Sequence, residues 1–97
     1  MMKVFAIASA QPTLTPDKLQ QHLPHEVPAT LQLYLDSKVE QFWFRDQAGP
    51  IFLMNVESVD EAKAILNALP LVADGLMKYE YLPVGPLAPL GRLIHKG

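Results

Sequence analysis

Cysteine is absent from this chain, which excludes disulfides, thiolate nucleophiles and cysteine-ligated zinc. A cysteine-free composition fits a reducing compartment, so a cytoplasmic protein is expected. Charge of one sign is also scarce. The formal net charge of -2 leaves no basic face for nucleic acid, and no run of like charges marks an interaction tail. No segment approaches the roughly 20 apolar residues of a membrane span. The N-terminus imitates a secretory leader, with Lys3 before the apolar Val4 to Ala8 and a small-residue Ala8-Ser9-Ala10. That apolar run is shorter than the roughly 7–15 residues a leader needs. Glycine-rich phosphate loops, nucleophile elbows and EF-hand loops are missing as well. Neither a nucleic-acid partner nor a membrane partner is expected.

What is present suits one domain of 97 residues, about half of them apolar. Lys3 to Ser9 is apolar on both faces, as in a central strand. Thr15-Pro16-Asp17 reads as a helix start, with a hydroxyl cap, proline at the first position and an acid in the first turn. Leu19 and Leu23 give that piece an apolar side. Pro24 and Pro28 each remove a backbone donor, so they are expected to interrupt it. Val27, Leu31, Tyr34 and Leu35 then form a second apolar stripe at helical spacing, which makes a kinked helical region.

Val39 to Arg45 alternates as a strand, Asp46 to Pro50 turns, and Ile51 to Val56 is a second strand apolar on both faces. Ser58-x-x-Glu61 is a capping box opening a helix with Val59, Ala62, Ile65, Leu66 and Leu69 on one side. Pro70 is expected to end it, and Leu76 to Leu82 completes the order β-α-β-β-α-β. That order predicts a ferredoxin-like α+β domain, an antiparallel sheet with two helical regions on one face. Two central strands apolar on both sides need cover on the other face too. A second copy of the chain is the simplest cover, so a homodimer or larger homo-oligomer is expected. The core spans about 3–83. The apolar, Pro- and Gly-rich tail 84–97 reads as a strap on a neighbouring subunit.

The pattern Ser58-Val59-Asp60-Glu61-Ala62, Leu69-Pro70-Leu71 and Met77-Lys78-Tyr79-Glu80-Tyr81-Leu82-Pro83 resembles the C-terminal half of muconolactone isomerase. More loosely, it resembles the YCII-related proteins of the same dimeric α+β barrel superfamily. The match covers about Ser58 to Leu87 and is topological before that. The resemblance implies a dimeric α/β barrel whose two sheets face each other. It also implies a cleft for a small lactone, quinone or other aromatic-derived ligand, with chemistry that uses no metal or cofactor. This chain departs from the isomerase by inserting Ala73-Asp74-Gly75 or thereabouts after Leu71. It carries Ala88-Pro89-Leu90 near where the isomerase ends in His-Pro-Ser.

Isomerising a lactone double bond requires a proton taken from one carbon and returned to another, work for a carboxylate or imidazole. His22, His25 and Glu26 stand at the expected kink, and Glu40, Lys78 and Glu80 on edge strands. The resemblance to YCII-related proteins puts an acid–base histidine on the first helical region, a place His22 or His25 could take. A solvated pair is the plainer reading of both, and a metal site is disfavoured because His-x-x-His-Glu is not the zincin pattern. Glu80 aligns with an acidic position of the isomerase. Lys78 shares its face, as the electrostatic partner of a base or as half of a salt bridge. Trp43 beside Arg45 suits a dimer interface or a ligand pocket, where Arg45 would fix a substrate carboxylate. Tyr79 and Tyr81 take the opposite face from Lys78 and Glu80 and are expected to pack on the helices.

Two functions follow from these residues. The first is a cofactor-free isomerase acting on a small carboxylated ring compound, with His22, His25 or Glu80 moving the proton and Arg45, Trp43 and Lys78 binding the substrate. The second is a non-catalytic dimeric module for a small ligand or a partner protein. A catalytic cleft should hold a histidine or glutamate within reach of an open cavity, at about 3.2 Å or through one water. A cavity filled by Trp43 and its neighbours would favour the module.

Overall fold

The computed structural model describes residues 2–46 and 48–85. Its elements are β1 (Met2–Ala10), α1 (Pro16–Leu35), β2 (Val39–Arg45), β3 (Gly49–Val56), α2 (Val59–Asn67), α3 (Pro70–Ala73) and β4 (Met77–Val84). The strands form one antiparallel sheet in the order β2-β3-β1-β4, the ferredoxin-like arrangement of an α+β domain. The two strands apolar on both faces, β1 and β3, are the central pair. The expected strap over 84–97 lies outside the described residues beyond Gly85. Among the described residues, no helix is long and apolar enough to cross a membrane.

Alternation along the strands sorts the two faces of the sheet. Val4, Ala6, Ala8, Phe52, Met54 and Val56 are buried on one face, and Ala62, Leu66 and Leu69 pack with most of them to make the core. The other face carries Phe5, Ile7, Ile51, Leu53 and Leu82 by register, with none of the described helices over it. Trp43 lies on this face as well, its ring 6.1 Å from that of Phe5.

Both long helices start as their sequences specify. The Thr15 hydroxyl accepts from the Lys18 amide at 3.2 Å, and Ser58 Oγ accepts from the Glu61 amide at 3.0 Å. Glu61 reaches back one residue further than a capping box predicts, taking the Glu57 amide at 2.8 Å. The hairpin turn brings Gly49 to φ 92°, a conformation that favours glycine.

One proline reading is corrected and another is extended. α1 runs without a break through Pro24 and Pro28. The two residues are four apart, so the carbonyls they leave unpaired, those of Gln20 and Pro24, fall on one side of the helix. Both proline side chains are exposed, which places that side toward water. Pro70 ends α2 but also opens α3, because proline at the first helical position sacrifices a donor that has no partner there anyway. Pro83 is tolerated inside β4 because that strand is at the sheet edge.

Candidate functional site

The helix-facing residues of β1 toward its end are Ala6, Ala8 and Ala10, and the last of these reaches the space under α1. A cavity of about 730 Å3 opens there, between α1, the β2–β3 hairpin and α3. Leu19, Leu23, Val27 and Leu31, each four residues on from the last, line its α1 side. Phe42, Phe44 and Phe52 line the sheet side, and Leu71 and Met77 the inner end. The apolar stripe predicted on α1 therefore borders an open cleft. Val27 and Leu31 keep 57% and 49% of their surface exposed, and Phe44 on the opposite wall keeps 75%.

Glu26 is the one charged residue buried among those described, at 7% exposure, and the one ionisable side chain on the cavity lining. Its Oε1 accepts the Leu71 amide at 2.9 Å, in the first turn of α3. No described group bonds Oε2, which is left as the oxygen available to the cavity. Burial raises the Glu26 carboxyl above its ordinary value, against the opposing pull of the Leu71 amide and of His22. Behind the cavity wall, Tyr79 stacks on Phe52 with ring centroids 5.5 Å apart. Its hydroxyl is buried without a partner among the described residues and stays protonated, because burial and the nearby Glu26 charge both raise it.

His22 lies one turn before Glu26. Its Nδ1 is 2.6 Å from the Lys18 carbonyl and its Nε2 is 2.6 Å from Asp74 Oδ2. Both partners only accept, so both ring nitrogens must donate and the imidazolium is the form that satisfies the pair. The Asp74 hydrogen bond, then the Lys18 carbonyl, raise the His22 pKa accordingly. His22 and Glu26 thus tie two successive turns of α1 to the two ends of α3. His22 does not line the cavity, and exposed His25 does not either.

The remaining predicted site residues fall elsewhere. Arg45 Nη2 donates to the carbonyls of Ala8 at 2.6 Å and Ala48 at 2.9 Å, and its Nε to Gly49 at 3.2 Å. It clamps the hairpin turn to β1. Trp43 borders the cavity along β2, but its ring packs on Phe5 across the opposite face. Lys78 and Glu80 are exposed on that same face of β4, opposite Ser9 and Ile7. The structure therefore joins Glu26 and His22 through α3 and separates both from Glu80, Lys78 and Arg45. Glu26 is visible in the sequence as a carboxylate near two prolines. Its anchor, 45 residues away on a helix of four residues, has no local signal.

No family model matches this chain, and no curated protein matches it. Among solved structures it is similar to the crystal structure of the protein At3g17210 from Arabidopsis thaliana. The two are 18% identical over 89% of this chain and 95% of that one, with a TM-score of 0.42. A likeness of that degree assigns neither activity nor ligand.

Proposed function

We propose that the protein binds a small ring compound in the cleft under α1, and that Glu26 moves a proton on it without a cofactor, as in an isomerase of the muconolactone isomerase type. The observation that carries this reading is the Glu26 carboxyl at the wall of an open apolar cavity, one oxygen held by Leu71 and the other without a partner among the described residues. A desolvated carboxylate is a stronger base than one in water, which suits proton removal next to a carbonyl. In the reaction, Oε2 takes a proton from one ring carbon, the electron pair moves toward the carbonyl oxygen, and the proton returns at a second carbon. Atoms and charge balance with no added reactant.

The open sheet face supports the second half of the reading, a homodimer of the barrel type. Phe5, Ile7, Ile51, Leu53 and Leu82 form a continuous apolar strip by register, and a second copy would remove it from water at roughly 25 cal/mol per Å2.

Incubation with lactones and cyclic enones in deuterated water, followed by proton NMR, tests the activity. The expected result is deuterium at the acidic ring carbon, faster than without protein and dependent on Glu26. Ligand binding with no exchange for any ring carbonyl compound would leave a binding module and end the enzyme reading.

A further inference from the structure

Within the cleft reading, on which this inference rests, the chemistry of the lining also selects the ligand. We infer that the cleft takes an uncharged ring compound with a carbonyl or hydroxyl oxygen placed on Glu26 Oε2, and that it excludes carboxylates.

Charge is the first ground. Among the described residues the lining has no cationic side chain, and its one ionisable residue is acidic. Arg45, the residue that would have anchored a carboxylate, spends three of its N–H groups on the carbonyls of Ala8, Ala48 and Gly49. An anion entering this cleft would lose its hydration, meet no cation among the described residues and face a like charge whenever Glu26 is ionised. A neutral ring meets none of these costs. It also finds the aromatic walls of Phe42, Phe44 and Phe52, against which a planar ring packs in offset or edge contact.

Polarity at one point is the second ground. The Leu71 amide fixes Glu26 Oε1 as an acceptor, so in the neutral acid the proton sits on Oε2. Oε2 then donates to a ligand carbonyl, and after ionisation it accepts from a ligand hydroxyl or enol. One oxygen atom of the ligand is served in both states. A volume of about 730 Å3 lies within the range of sites for small organic ligands and leaves room for a ring system larger than a single lactone.

Three probes sharing one ring system test this by calorimetric titration at pH 7: 2-naphthol, 2-naphthoate and naphthalene. The naphthol should bind about tenfold or more tightly than the naphthoate. Glu26→Leu should bring the naphthol down to the affinity of naphthalene, while Glu26→Gln, which keeps an acceptor for the Leu71 amide, should retain it. Lowering the pH until the naphthoate protonates should tighten its binding. Should Glu26→Leu fail to fold by circular dichroism, the wild-type ranking and Glu26→Gln still decide. Equal or tighter binding of 2-naphthoate at pH 7, weakened by a Thr30→Trp block of the cleft, would overturn the ligand class and leave the cleft reading standing. If no probe binds, or Thr30→Trp alters none of them, the cleft reading falls and the inference with it.

Discussion

A glutamate buried to the extent of Glu26 costs stability unless something uses it. Its folded pKa is raised, so relative to a neutral residue the wild type loses stability as pH rises from about 4.5 through the folded value. Glu26→Gln keeps the bond to the Leu71 amide and removes the ionisation. The variant should therefore match the wild type near pH 4 and exceed it at pH 8, with a higher Tm at the upper pH only. The same change should lower proton transfer by about 10²–10⁴-fold. Calorimetric scans at the two pH values, set beside the exchange assay, check both expectations. Higher stability with lower activity marks a residue held for function. Arg45 shows the limit of residue-level reading. Its type suits a carboxylate anchor, but carbonyls of β1 and of the hairpin turn take three of its five N–H groups, and no sequence spacing reports that competition.

At the scale of elements, α1 is held to α3 by two polar ties one turn apart, His22 to Asp74 and Glu26 to the Leu71 amide. The His22 pKa is raised in the folded state, so its contribution is complete below about pH 6.5 and is lost as pH rises through the folded value. Asp74→Asn should lower Tm at pH 6 and leave it nearly unchanged at pH 9, which a pH series of thermal melts will show. A uniform loss at every pH would mean that the pair is not a charged one. The cap of α2 offers a simpler expectation: Ser58→Ala removes the acceptor for the Glu61 amide and should cost about 1 kcal/mol in urea denaturation. Caps were legible in the sequence because their partners lie three residues apart. The unbroken course of α1 and the start of α3 were not legible, because a proline's penalty is local whereas its remedy depends on orientation and position. Pro24 and Pro28 face water, and Pro70 sits where the first amide of α3 needs no partner.

For the whole molecule, the sheet order follows from strand patterning, since β1 and β3 are apolar on both faces and occupy the centre. The cavity was not legible. It lies between residues of α1, the β2–β3 hairpin and α3, a relation between elements that no single segment encodes. The proposed homodimer predicts that Leu53→Lys, on the open face of a central strand, will halve the mass seen by sedimentation while leaving the helical circular dichroism intact. A monomeric wild type at the same concentration would remove the barrel assembly from the account and leave the cleft, which lies on the other face, as it stands.

The central claim is that the cleft under α1 is the ligand site and that Glu26 meets the ligand there. Titrating 2-naphthol into 15N-labelled protein and following the amide resonances tests it most directly. The account predicts shifts concentrated at Leu19, Leu23, Glu26, Leu71 and Met77, with the Leu71 amide among the largest because it shares the Glu26 carboxyl with the ligand. Shifts concentrated instead at Phe5, Ile7, Ile51 and Leu53, on the far face of the sheet, would contradict it.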